Sequence, residues 1–183
     1  MNLSDILTTP YVTLGAPTLG TIVLLLVHLR WWKKSGGKKT DDGGGGRSVL
    51  ALLPFWLSWC YGMIAVLASP GISVLGITTR AVLWSGNGLG YAYLVWGIGG
   101  DSPTATRAAP VVLTAGGYAV FAIWTAMVIG HHLWSKRIPR QMSLFGVLSG
   151  IFMGMAAGIA GVAAVPLASA INMGGAWYTG VMQ

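Results

Sequence analysis

Three histidines, four acids and a single cysteine are the residues of this 183-residue chain best suited to chemistry. His28 and His131 each fall near the end of an apolar stretch. Two histidines at equal depth on facing helices could hold a haem between them. A b-type arrangement with two such pairs needs four ligands, which three histidines do not supply. Otherwise they are polar anchors at helix ends. The acids are Asp5, Asp41, Asp42 and Asp101, none inside a clear apolar stretch. This argues against an aspartate pair for intramembrane proteolysis and against the carboxylate of a proton-coupled carrier. Cys60 alone allows neither an intramolecular disulfide nor a multi-cysteine metal site. No spacing links a serine to a base. The glycine run at 43–46 leads into Arg47 and Ser48 but follows no strand, so it reads as linker and not as a phosphate loop. The expectation is a protein that is not an enzyme, with no cofactor and no metal.

The positive charges are grouped. Arg30, Lys33, Lys34, Lys38, Lys39 and Arg47 form one cluster, and Lys136, Arg137 and Arg140 a second. Beside a bilayer each gains about 1 kcal/mol from anionic lipid, and the same charges suit non-specific contact with nucleic-acid phosphates. Asp41 and Asp42 dilute the first cluster, and no aromatic residue is interleaved with its lysines to stack on bases. Fixing topology is the simplest role for both clusters. Arg80 stands alone in an apolar stretch, where it would be costly inside lipid and a plain anchor at a surface.

These residues must be carried by a chain that is 54% hydrophobic and only 8% charged. A soluble domain usually carries about 25% charged residues, so composition places the chain among membrane proteins. Residues 1–10 hold Asp5 and no basic residue, unlike a cleaved signal peptide, so the first apolar segment is expected to be a retained anchor. The predicted fold is an all-α integral membrane protein with four transmembrane helices near 11–29, 48–68, 111–133 and 142–171. Trp31, Trp32 and the basic residues after the first are interface anchors. Residues 33–47 are a flexible basic linker. Between the second and third spans, residues 72–100 are a surface or re-entrant segment, because the glycine-rich stretch 85–90 is a poor helix interior.

The last span carries the most regular pattern. Gly146, Gly150, Gly154 and Gly158 recur every four residues, and Ala156, Ala160, Ala164 and Ala168 repeat the spacing. Positions four apart drift only about 40° around a helix, so the small residues trace one groove. Leu144, Leu148, Ile151, Phe152, Met155, Ile159 and Val162 form the bulky side. Helices in lipid associate at such small residues. The stripe predicts tight contact either with the chain's own helices or with other copies.

Charge selects the topology. With four spans both basic clusters share one side, which the positive-inside bias makes cytoplasmic. Residues 30–47 and 134–141 are then cytoplasmic and both termini lie outside the cell membrane. A fifth span through 72–100 would put the clusters on opposite sides.

In general build, with a basic segment at 30–47 between apolar spans, the chain resembles the small multi-span spread proteins of actinobacterial conjugative plasmids. That resemblance implies an oligomeric channel or scaffold component in macromolecular transfer and transfers no site residue. The leading expectation is therefore a pore-forming or scaffold subunit of a DNA or protein transfer complex. Its partners would be the lipid bilayer, other copies or a larger complex, and through the linker anionic lipid or nucleic acid. A phage-type holin and a small haem-binding redox subunit are the alternatives.

Overall fold

The computed structural model describes residues 11–35, 49–134 and 140–183. The described residues are helical apart from turns, extended connections and two isolated β-bridges. Six helices follow one another: α1 (Gly15–Ser35), α2 (Leu53–Ala68), α3 (Val74–Tyr91), α4 (Ala115–Trp134), α5 (Arg140–Gly154) and α6 (Ala157–Met182). Helix α2 starts with Pro54 in its first turn, where a missing N–H costs nothing. It stops at Ser69, whose extended backbone is what the following Pro70 demands. The Ser73 hydroxyl opens α3 by accepting from Gly76 N at 2.9 Å, and Thr114 Oγ1 accepts from Gly117 N at 3.0 Å at the start of α4.

Two helices carry the bundle. Helices α2 and α5 run parallel, with Phe55 beside Gly146, Trp59 beside Gly150 and Met63 beside Gly154. Helix α1 runs antiparallel to both. Its Gly20 meets Phe152 and Met153, while Val27 clusters with Leu52, Phe55 and Met142. Helix α4 also opposes α2: Tyr118 Oη donates to Ala68 O at 3.0 Å, and Phe121 stacks on Tyr61 with centroids 5.5 Å apart. The starts of α1 and α4 and the ends of α2 and α5 thus share one end of the bundle.

At that end an extended segment, residues 102–114, runs across the helices. Leu14 N donates to Pro103 O, Ala105 N to Val12 O, Ala108 N to Met155 O, Ala157 N to Thr106 O and Val111 N to Leu67 O. Backbone that cannot be helical still needs partners when it is covered, and this segment finds them on four different elements.

These contacts correct the sequence reading in three places. The span expected at 142–171 is two helices, broken at Ala156, which is extended (ψ 124°) and bridged to Arg107. Around the break stand Gly154, Ala156, Ala157 and Gly158, which give a helix little side-chain packing to hold it, and the extended segment takes up the freed backbone groups. The third span, expected from 111, becomes helical only at Ala115, because Val111 N and Thr114 N are bonded elsewhere. Residues 85–90, expected to be irregular, continue α3 to Tyr91, which then widens into a π-helical turn over Ala92–Gly97. Packing overrides propensity there: Gly86 lies on the Phe152 ring and Gly90 on Gly15.

Against the expected four, one helix among the described residues is both long and apolar enough to cross a membrane. That is Ala157–Met182, 26 residues with mean hydropathy 1.5 and only 22% of its apolar window buried. Leu53–Ala68 and Gln141–Gly154 are apolar but short. At 16 residues α2 is about 24 Å long, against a hydrocarbon core of about 30 Å.

Candidate functional site

The glycine stripe divides at the break. Gly146, Gly150 and Gly154 face α2, which returns the approach through Gly62 against the Val147 carbonyl. A β-carbon at Gly154 would come within 2.9 Å of Met63 Cα, and one at Gly150 would overlap the Trp59 carbonyl oxygen. Gly158 lies beyond the break with open space around it. Ala160, Ala164 and Ala168 are buried on α6. Three of the four glycines therefore serve contact within this chain, where the stripe alone also allowed contact with other copies. Small buried polar groups tie α5 to its neighbours: the Ser58 and Ser143 hydroxyls are 2.6 Å apart between α2 and α5, and Ser149 Oγ donates to Gly20 O of α1 at 2.8 Å.

The two basic clusters are described only in part. Arg30 and Lys33 are exposed on the last turns of α1. Lys34 and Arg140 lie on the helix backbones of α1 and α5. Lys38, Lys39, Arg47, Lys136 and Arg137 lie outside the described residues, as does most of the linker. The histidines are not joined as a pair. His28 sits edge-on to Phe55 and Trp56, with centroids 5.7 and 5.3 Å away and Nδ1 2.7 Å from Leu24 O. The ring neighbour of His131 is His132, at 5.8 Å. Among the described residues no group of three or more histidine, cysteine or acidic side chains is placed to hold a metal ion.

The arrangement with most chemical content combines Arg80 with a residue the sequence reading passed over, Arg107. Both line a cavity of about 250 Å³ with Val66, Leu67, Ser69, Pro70 and Tyr118. Arg80 projects from α3 and Arg107 from the extended segment where it bridges Ala156. Gly71 seats the first guanidinium: a β-carbon there would lie 2.6 Å from Arg80 Cζ. Burial, and then the positive charge of Arg107, hold Arg80 below the ordinary arginine range. An arginine remains cationic at neutral pH even so. The described lining thus carries two positive charges and is otherwise apolar or neutral. Asp101, the one acid among the described residues, accepts from Ser102 N at 2.7 Å. No spacing signal marks Arg107, a single basic residue in a Thr/Ala/Pro connection.

Two asparagines were also passed over. Asn87 Oδ1 accepts from Thr13 N at 2.9 Å and from Thr13 Oγ1 at 3.1 Å, while Nδ2 donates to Tyr11 O at 2.7 Å. Asn172 does the same for the start of α4, accepting from Thr114 N at 2.8 Å and donating to Val112 O at 3.3 Å. An asparagine inside a glycine-rich apolar helix is the signal that could have found them.

Comparison with protein families, curated proteins and solved structures finds no match to this chain.

Proposed function

We propose that this chain is a non-enzymatic membrane protein that acts as a scaffold subunit of a macromolecular transfer complex. One observation carries the membrane part of the reading. Apart from Leu83, everything that helix α3 buries is small or polar, namely Gly76, Thr79, Gly86, Asn87 and Gly90, while it exposes Ile77, Trp84, Leu89 and Tyr91. In water the large apolar side chains would be the buried ones; in lipid, helices meet at small and polar residues. Helix α6 follows the same rule but for Ile171, burying Ala160, Ala164, Ala168 and Gly175 while Val162, Met173 and Trp177 are more than 70% exposed.

In this reading α1, α2, α4 and α5 are the crossing segments, the short α2 and α5 being accommodated by local thinning of the bilayer. Helix α6, though the one described helix long and apolar enough to cross, lies along one side, because its start at Ala157 and its Gly175 are both held at the same end of the bundle. The basic end of α1 and the basic start of α5 lie on the cytoplasmic side. Both α3 and α6 begin at the opposite end, and Gly90 and Gly175 return to the starts of α1 and α4 there. The termini accordingly lie outside. The transfer role draws support from the basic linker and from the resemblance to spread proteins of conjugative plasmids. Assembly with other subunits would use the open side of α6, where Gly158 and Gly161 have free space, and not the stripe on α5.

Alkaline carbonate washing of membranes from expressing cells tests the first part. The protein is expected to stay in the pellet; release into the supernatant would overturn the membrane reading. Deleting the gene in the source organism and scoring DNA transfer between cells tests the second. An unchanged transfer frequency would remove the scaffold role.

A further inference from the structure

The Arg80–Arg107 cavity has no part in the scaffold reading, yet it is the most chemically specific place in the molecule. Two arginines from elements far apart in sequence, α3 and the extended segment, line one cavity. Each element is held there independently. Arg80 lies over Gly71, which a side chain would deny it, and Arg107 is fixed by the bridge to Ala156 with backbone bonds on both sides, Ala157 N to Thr106 O and Ala108 N to Met155 O. Bringing two like charges together costs free energy that an anion between them recovers. Arginine is suited to planar, two-pronged recognition of phosphate. A volume of about 250 Å³ is room for such a group with part of whatever it is attached to. Val66, Leu67, Val111, Val112 and Met155 give the cavity an apolar wall suited to an attached hydrocarbon, and Ser69 and Tyr118 add neutral polar groups beside it.

We infer that this cavity is a binding site for a phosphate group, held between Arg80 and Arg107 at the end of the bundle where α2 stops. The group belongs either to a lipid headgroup or to a free phosphate compound. The site stands apart from the basic clusters, since Arg30 and Lys33 are at the opposite end of α1.

The full chain, purified in a zwitterionic detergent, is titrated with inorganic phosphate by calorimetry. In parallel, native mass spectrometry counts phosphatidic acid retained from nanodiscs of phosphatidylcholine with and without phosphatidic acid. Saturable binding of either probe is expected, weakened about tenfold in Arg107→Gln and in Arg80→Gln and unchanged in Lys33→Gln. Arg107 is exposed, so Arg107→Gln is expected to keep the parent's tryptophan-fluorescence melting midpoint. If Arg80→Gln fails to fold, Arg80→Lys replaces it and should weaken binding while keeping the charge. Binding of the lipid alone assigns a headgroup; binding of inorganic phosphate assigns a free compound. The inference fails if the parent binds neither probe saturably, or if Arg107→Gln binds as the parent does. The inorganic-phosphate measurement needs no bilayer, so its outcome is separate from that of the carbonate wash.

Discussion

The two ends of the chain solve one problem with the same parts. In residues 11–97 an extended Tyr11-to-Thr13 entry is clamped by Asn87, and Gly15, two residues after Thr13, lies on Gly90, three residues after the asparagine. In residues 112–182 the entry is clamped by Asn172, and Gly116, two residues after Thr114, lies on Gly175, three residues after that asparagine. Each first helix carries in its second half a histidine bonded to the carbonyl four residues back, His28 to Leu24 and His132 to Val128, followed at once by a leucine. Each half runs out, back and across. The halves differ in cover. Asn87 is 3% exposed and its bonds span 2.7 to 3.1 Å; Asn172 is half-buried and its bonds reach 3.3 Å. Helix α1 also packs along α5, whereas α4 rests chiefly on α6. The same clamp is thus a core feature in one half and a surface feature in the other.

The largest effect should come from the seam that the halves share. Replacing Gly150 by leucine drives a side chain into the Trp59 backbone, and no rotamer avoids it. The variant is expected to lose the cooperative unfolding transition of the parent, followed by tryptophan fluorescence in detergent. Gly158→Leu, beyond the break and in open space, should keep it. If the two behaved alike, the division of the stripe between α5 and α6 would be wrong.

The clamps come next, and they separate the halves. Asn87→Leu leaves a buried N–H, a hydroxyl and a carbonyl without their partner, which costs about 3 kcal/mol. Asn172→Leu should cost about 1 kcal/mol, because solvent reaches the same groups there. Equal losses would show that cover does not distinguish the halves. Chemical unfolding of both variants beside the parent gives the comparison directly.

Much of this was legible in the residues, and the exceptions have physical causes. Gly146 to Gly154 announce close helix contact because spacing alone sets the groove. Spacing does not name the partner, and Gly62 on α2 is one glycine among 28. The break at Ala156 leaves no trace in periodicity, since it depends on backbone bonds to residues 106–108. Helix α3 was misread because Ser85, Gly86, Asn87, Gly88 and Gly90 have poor helix propensity, while what holds them helical is Phe152 and Gly15, far away in sequence. The likeness of the halves hides for a similar reason. It survives in threonine–glycine and asparagine–glycine spacings and in a histidine–leucine pair, too few positions to stand out in so glycine-rich a chain. Arg107 gave no signal, because its meaning comes only from Arg80 across the cavity.

The topology implied by that likeness gives the next test. If both halves run out, back and across, the ends of α1 and α4 share a side. A fluorescent or phosphatase reporter inserted at residue 42 and one fused after Gln183 should report opposite sides, cytoplasmic for the first. A reporter at residue 100 should agree with the C-terminal one. Agreement of residue 100 with residue 42 would mean that α3 crosses, and would break the equivalence of the halves.

The smallest effect probes the one place where the halves should match. A methyl group at Gly90 meets Gly15, and a methyl group at Gly175 meets Gly116, in both cases against backbone and not against a flexible side chain. Gly→Ala within a helix gains about 1 kcal/mol of propensity, while forcing the two helices apart by a fraction of an ångström costs about 1–3 kcal/mol. The net loss should be about 1 kcal/mol for Gly90→Ala and the same for Gly175→Ala, despite the difference in cover, because steric overlap does not depend on solvent. Gly88→Ala, on the same helix as Gly90 but facing open space, should be stabilising by several tenths of a kcal/mol. Unfolding midpoints that fall alike for Gly90→Ala and Gly175→Ala and rise for Gly88→Ala would show that the glycine crossings, more than the asparagine clamps, are what the two halves have in common.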